Sequence, residues 1–154
     1  MKKLLFVLLL IMLLVFTGCN NGHYNYEEDV PELKISSDNG EITVEKGTYE
    51  WTVKEGYFSD KTTIKDTDSP EKIAEKMGAN RVLPRTKLNL LFSKEPDNIE
   101  VIPWGELKSD DYNLTGKEMI VPDKEGIYIF EILSEWKQGK ASYIIKIAVE
   151  SSDF

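Results

Sequence analysis

The chain has 154 residues, of which 27 are acidic and 19 are basic, so its formal net charge is −8 at pH 7. This length suits one domain with a substantial core rather than two. The acidic balance excludes binding to nucleic acid or to an anionic lipid surface by overall charge, and the single cysteine excludes an internal disulfide.

A short positive head and an apolar run open the chain. Lys2 and Lys3 precede the unbroken apolar residues 4–16. A transmembrane helix needs about 20 apolar residues, and this run is shorter. A charged start, a short apolar segment and a small-residue exit are typical of a secretory signal, which we predict over residues 1–18.

The only cysteine, Cys19, follows this run directly, after Thr17 and Gly18. This order resembles the lipobox of bacterial lipoproteins, in which a small residue precedes an invariant cysteine. The resemblance implies that the Cys19 sulfur carries a diacylglyceryl group and that the signal is cleaved between Gly18 and Cys19. The chain departs from the family pattern at Phe16, where leucine is usual. The expected location is the extracytoplasmic face of the cell membrane, with the lipid on Cys19 as the anchor.

The segment after the cysteine has the composition of a tether. Residues 19–40 mix Asn, Gly, Asp, Glu and Ser with one proline, and we predict a flexible stalk there. From residue 41 the sequence pattern changes to short runs of alternating apolar residues, so we predict the folded domain over 41–154. The chain without its first 18 residues has 17 basic and 27 acidic side chains, which raises the net negative charge to 10.

The folded part reads as a series of short strands. Residues 48–54, TYEWTVK, are rich in aromatic and β-branched side chains and predict a strand. One short helix is predicted over 71–77, because Ser69 suits an N-cap and Pro70 the first helical position. Further strands are predicted over residues 41–45, 86–93, 99–104, 111–114 and 118–121, with Pro103 at an edge or bulge.

The strongest strand pair lies near the end of the chain. Residues 126–136 and 141–150 are two long β-rich runs separated by the turn 137–140, and they should pair as an antiparallel hairpin. Seven or eight short strands with one minor helix predict an all-β fold, an antiparallel β-sandwich.

Residues 123–130, DKEGIYIF, resemble the tyrosine corner of immunoglobulin-like domains. The resemblance implies that the Tyr128 hydroxyl bonds back to the loop backbone and that Phe130 occupies the position of the core cysteine. The domain also resembles immunoglobulin-like lipoprotein domains of low-GC Gram-positive bacteria, through Gly47–Trp51 and Glu135–Tyr143. These resemblances imply a fold and a compartment but no activity.

Residue types that commonly act in catalysis or bind transition metals are scarce in this sequence. The only histidine, His23, lies in the predicted stalk, so neither a Ser-His-Asp nor a Cys-His arrangement is expected in the domain. We predict no metal site and no cofactor, since clusters of His and Cys are absent from the sequence. Carboxylate groups occur at Asp66 with Asp68, at Asp110 with Asp111 and over 27–29, and we interpret each as a solvated loop.

Aromatic side chains offer the remaining lead. We expect Trp51 and Trp136 to lie in the core, because aromatic residues dominate small β cores. Trp104 stands between Pro103 and Gly105 at a strand end, where a tryptophan can anchor a partner or a glycan. The candidate binding surface therefore consists of Trp104, Tyr57 and Phe58.

These observations favour a non-enzymatic function. We expect a membrane-anchored binding module of the cell envelope that recognises an envelope protein or peptide and no nucleic acid. One alternative is an inhibitor of exported hydrolases or proteases. Another is a hydrolase of wall glycan, which requires two carboxyl groups roughly 5–9.5 Å apart across a groove.

Overall fold

The computed structural model describes residues 30–55, 59–105 and 112–151. These residues form two antiparallel sheets and one short helix, α1 (Pro70–Glu75). The strands are β1 (Leu33–Ser37), β2 (Gly40–Ile42), β3 (Glu45–Lys54), β4 (Asp60–Lys65), β5 (Asn80–Val82), β6 (Lys87–Phe92), β7 (Asn98–Trp104), β8 (Asn113–Thr115), β9 (Glu118–Ile120), β10 (Gly126–Trp136) and β11 (Gly139–Val149).

The two sheets have the strand order of an immunoglobulin-like sandwich. Sheet 1 runs β2-β1-β6-β9-β8, and sheet 2 runs β4-β3-β11-β10-β7. In the immunoglobulin nomenclature, β1-β6-β9-β8 take the places of strands A-B-E-D and β7-β10-β11 those of C-F-G. The chain visits β6 to β11 in the order B to G. The predicted fold class, an all-β immunoglobulin-like antiparallel sandwich with one short helix, is therefore confirmed.

An insertion between the A-like strand β1 and the B-like strand β6 extends both sheets. Strand β2 pairs with β1 at the edge of sheet 1, whereas β3 and β4 add to β11 in sheet 2. Strand β5 pairs in parallel with the last residues of β11. The two segments β3 and β5 together cover the free edge of β11, so this edge is protected from pairing with another chain.

The core lies between the sheets and depends on the long hairpin. β10 and β11 pair over their whole length, from Gly126 opposite Val149 to Trp136 opposite Gly139. Alternate residues of the two strands point inward and pack against side chains of sheet 1 such as Leu88, Leu90 and Met119. This pairing confirms the predicted hairpin; β10 alternates between buried and more exposed residues, whereas β11 is largely buried on both faces.

Helix α1 covers part of the outer face of sheet 2. Ala74 and Met77 pack against Ile144 of β11. The Lys146 Nζ donates to the carbonyl oxygens of Ala74 (2.9 Å) and Met77 (3.3 Å), which satisfies acceptors left open where the helix ends. The short helix predicted over 71–77 is thus present, with Ser69 at its N-cap position.

Two expectations need correction. Residues 30–40, which the sequence assigned to the stalk, belong to the sandwich, because Val30, Leu33 and Ile35 are buried in the core. The buried apolar residues of this segment alternate with polar residues that face solvent, so the strand is not apparent from the sequence. Strands β4 and β5 were not predicted, because β4 is an exposed edge strand without an apolar face and β5 has only three residues.

Candidate binding groove

The predicted site residues fall into two groups. Trp104 lies at the end of β7, an edge strand of sheet 2, where it is half-buried. Tyr57 and Phe58 lie outside the described residues, as do Gly18 and Cys19. The structure therefore describes only the Trp104 part of the candidate binding surface.

Trp51 and Trp136 are core residues, as expected. Their exposed fractions are 3% and 6%, and their rings meet edge to face with centroids 5.5 Å apart. The Trp136 Nε1 donates to the Lys94 carbonyl oxygen at 3.0 Å, so the indole is satisfied as well as buried. Neither side chain is available to a partner as an exposed anchor.

Trp104 lines a groove of about 870 Å³ at one end of the sandwich. The groove lies where β7 ends and β10 begins, beside the loop that joins β9 to β10. We call it the Trp104 groove; its lining residues are Arg85, Trp104, Gly105, Tyr112, Asn113, Ile120 and the run 121–129.

Strand pairing and one hydrogen bond position Trp104 on the outer face of sheet 2. Trp104 lies opposite Ile129 on β10, and its Nε1 donates to the Glu131 carboxylate at 3.1 Å. This bond holds the ring against the sheet, which lowers the conformational entropy that a partner would have to remove on binding.

The loop that precedes β10 is fixed by the tyrosine corner. The Tyr128 hydroxyl donates to the carbonyl oxygen of Lys124 at 2.6 Å, as the sequence predicts. Phe130 is completely buried, and its ring centroid lies 6.4 Å from that of Tyr128. Tyr128 and Phe130, two neighbouring aromatic side chains on one face of β10, therefore fix the wall of the Trp104 groove to the core.

Tyr112 forms a second support at the same end. Its hydroxyl donates to the Val101 carbonyl oxygen at 2.8 Å, and its ring meets Phe130 edge to face with centroids 5.4 Å apart. Burial raises the pKa of Tyr112, and the nearby Glu100 charge adds to the shift. The phenol stays protonated at neutral pH and acts as a structural donor.

Ile127 gives the groove an exposed apolar element. Side chains alternate between the two faces of a strand, and Tyr128 and Phe130 face inward. Ile127 directly precedes Tyr128, so its side chain points away from the core. Its exposed fraction is 67%, the highest among the large apolar side chains of the described residues. Ile127 and the half-buried Trp104 both line the groove, so apolar surface faces solvent there.

Charged groups of both signs surround this apolar element. Arg85 has a left-handed backbone conformation (φ 60°), and its backbone N–H donates to the Pro122 carbonyl oxygen at 3.2 Å. Glu125 accepts the backbone N–H of Ser151 at 3.0 Å, and its hydrogen bonds from Ser151 lower its pKa. A glycosidase acid needs a raised pKa, so the shift of Glu125 runs against that role.

Of the carboxylates singled out in the sequence, the structure describes Asp66 and Asp68. Asp68 forms an exposed ion pair with Lys76 at 2.8 Å, and the hydrogen bond from Lys76 lowers the pKa of Asp68. Asp110 and Asp111 lie outside the described residues, as do residues 27–29 and His23. Over residues 30–55, 59–105 and 112–151, no three His, Cys, Asp or Glu side chains come together as metal ligands.

Sequence reasoning missed two residues that line the groove, Ile127 and Arg85, and also Glu131, which accepts a hydrogen bond from Trp104. Ile127, Arg85 and Glu131 were not singled out, because each looks ordinary in its own segment. The position of Ile127 could have been found from the tyrosine corner, since an inward Tyr128 forces its neighbour outward. The contact between Trp104 and Glu131 joins two strands 27 residues apart, and nothing local signals it.

Comparison with known proteins gives no relative: no family model, no curated protein and no solved structure matches the chain. Within the described part of the chain, no helix has the length and apolar character to cross a membrane.

Proposed function

We propose that this protein is a lipid-anchored binding module of the bacterial cell envelope, without enzymatic activity, and that it recognises a protein or peptide through the Trp104 groove. Cys19 bears the lipid and holds the domain at the extracytoplasmic face of the membrane. The order Thr17-Gly18-Cys19 behind a charged head and an apolar run supports the anchor.

The exposed Ile127 beside Trp104 is the observation that supports recognition at the groove. Interfaces combine an apolar centre with a polar rim, and here Arg85, Asp123 and Lys124 supply the rim. The hydrogen bonds of Tyr128 and Tyr112 fix the groove before any partner arrives. A surface organised in advance binds at a smaller entropic cost than a mobile one.

The immunoglobulin-like sandwich is a suitable scaffold for this role. Its rigid sheets position loops at both ends, and such loops carry recognition in many domains of this architecture. The fold by itself does not define a partner, so the proposal depends on the groove.

The anchor is tested by intact mass spectrometry of the protein extracted from membranes. We expect a chain that begins at Cys19 and carries added acyl mass. A Cys19→Ser variant should keep its signal and lose the acyl mass. A chain that keeps residues 1–18 in the wild type would contradict the anchor.

The groove is tested by quantitative co-purification from detergent-solubilised envelope. We expect Trp104→Ala to reduce the yield of the specific partner by about 30-fold or more, which corresponds to loss of a 2 kcal/mol anchor residue. The matched control is Leu91→Ala, because Leu91 is a large apolar side chain with 55% exposure on β6 of sheet 1, away from the groove. Equal partner yields from wild type and Trp104→Ala would refute recognition at this site.

A further inference from the structure

A second cavity lies at the opposite end of the sandwich and differs in charge from the Trp104 groove. Its volume is about 560 Å³. The end of β3, the β6–β7 turn and the β10–β11 turn form it together. We call it the lysine pocket; its lining residues are Trp51, Thr52, Val53, Lys54, Asp60, Lys94, Lys137 and Gln138.

The pocket has a fixed apolar wall. Trp51 is held in the core against Trp136, and the Lys94 ammonium lies 5.6 Å from the centre of the Trp51 ring. The backbone N–H of Thr52 donates to the Gln138 carbonyl oxygen at 2.8 Å, which ties β3 to the β10–β11 turn. These contacts join the end of β3, the β6–β7 turn and the β10–β11 turn at the pocket.

Three exposed lysines line the pocket. Within the described residues, none of the three, Lys54, Lys94 and Lys137, forms an ion pair within 4.0 Å. Lys46, Lys76, Lys87 and Lys117 show the contrast, since each pairs with a carboxylate at 2.6–3.0 Å; the pairs are Lys46–Glu32, Lys76–Asp68, Lys87–Glu118 and Lys117–Glu95.

The pocket differs in local charge from the chain as a whole. Acidic residues outnumber basic ones by 27 to 19, so carboxylate partners are abundant. Even so, Asp60 is the one acidic residue that lines the pocket. Three like charges around one cavity repel each other, and a bound anion would remove this repulsion.

The residue types indicate which anion fits. Lysine ammonium groups act as compact point charges that bind phosphate, whereas the planar guanidinium of arginine pairs bidentately with both carboxylate and phosphate. The pocket contains three lysines and no arginine. We propose that the lysine pocket binds a short chain of phosphate groups. This inference goes beyond the proposed recognition of a protein or peptide and does not depend on it.

The surroundings limit the length of the ligand and exclude nucleic acid. Exposed acidic residues follow the lysines directly along the chain, with Glu55 after Lys54 and Glu95 after Lys94. A nucleic acid carries charge far beyond a pocket of this size and would meet these carboxylates. A ligand of a few phosphate groups contacts the lysines alone.

The experiment is calorimetric titration of the full chain, purified in detergent with its anchor, with sodium tripolyphosphate. We expect saturable binding at one site per chain. The triple variant Lys54→Ala/Lys94→Ala/Lys137→Ala should bind at least about ten-fold more weakly, because each lost ammonium removes a charge-assisted contact. The control variant Lys34→Ala/Lys72→Ala/Lys87→Ala removes three exposed lysines that line neither cavity and should bind within about two-fold of wild type.

Two further probes decide the chemistry. A hexaglutamate peptide and a DNA hexanucleotide should each bind at least about ten-fold more weakly than tripolyphosphate, since the first lacks phosphate and the second extends over acidic surface. Equal losses in the two triple variants would overturn the pocket as the site. Hexaglutamate or DNA binding as tightly as tripolyphosphate would overturn the ligand class. The proposed partner at the Trp104 groove is unaffected by either result.

Discussion

The two ends of the sandwich are built in different ways. At the Trp104 groove, two of the contacts are short-range, since Tyr128 bonds to a carbonyl four residues away and Tyr112 to one eleven residues away, whereas Trp104–Glu131 and Arg85–Pro122 join distant segments. At the lysine pocket, long-range contacts dominate: Trp136 bonds to a carbonyl 42 residues away, and Thr52 bonds to the backbone of Gln138.

The two ends also present different surfaces to a ligand. The groove end carries exposed apolar surface with both signs of charge, which suits another polypeptide. The pocket end carries a buried tryptophan and a set of lysines without ion pairs, which suits a compact anion. One rigid double sheet thus separates two surfaces of different chemistry.

The largest expected effect comes from the core side chain that supports the groove end. Phe130→Ala should lower the free energy of unfolding by about 3–5 kcal/mol, because a completely buried ring leaves a cavity beneath Tyr112 and Tyr128. Denaturant titration measures the change. Ile127→Ala, on the outward face of the same strand, is the control and should stay within about 0.5 kcal/mol of wild type. Comparable losses in both variants would contradict the assigned faces of β10.

The pocket end is expected to respond to a backbone change instead. Gly139 has φ +152°, and a Cβ there would lie 1.9 Å from the Glu50 carbonyl oxygen. Gly139→Ala should therefore destabilise the fold by about 1–3 kcal/mol, since β3 and the hairpin must separate. Gly78→Ala is the control, because a Cβ at Gly78 meets no atom within 4 Å. Thermal unfolding of the two variants checks the difference, and an undisturbed Gly139→Ala protein would refute the close approach of the strands.

A smaller effect is expected from the tyrosine corner alone. Tyr128→Phe keeps the ring and removes the hydroxyl that donates to Lys124. The loss should be about 1 kcal/mol, the usual contribution of one hydrogen bond. Hydrogen exchange should also quicken at the amides of residues 121–126 and not in the β10–β11 turn. Faster exchange at both ends would show that the two ends are not independent.

The smallest effect concerns the pH response of the groove end. Hydrogen bonds from Ser151 lower the pKa of Glu125 below its ordinary value of 4.5. Because the native state binds the proton less tightly than the unfolded state, this contact stabilises the fold above pH 4.5 and is lost as the pH falls through the lowered native pKa. NMR titration of the Glu125 carboxyl carbon checks the direction, and Ser151→Ala should move the pKa upward. An identical pKa in the wild type and in Ser151→Ala would contradict the contact.

The same contrast explains what the sequence could predict. The hairpin of β10 and β11, the helix at Pro70 and the corner at Tyr128 each depend on a local pattern, and all three are present. The start of the domain was placed too late, because β1 has five residues and its two buried side chains are embedded in polar sequence. The hydrogen bond from Trp104 to Glu131 has no local signature in the sequence, and neither has the position of Lys54, Lys94 and Lys137 around one pocket. Each depends on strand pairing between distant segments.

The most direct test of the central claim is site-specific photo-crosslinking in intact cells. A photoreactive amino acid at position 127 lies in the Trp104 groove, and one at position 91 lies on the exposed face of sheet 1. The account predicts a discrete adduct from position 127 that disappears in the Trp104→Ala background, and no adduct from position 91. Equal adducts from both positions, or none from position 127, would contradict recognition at the groove.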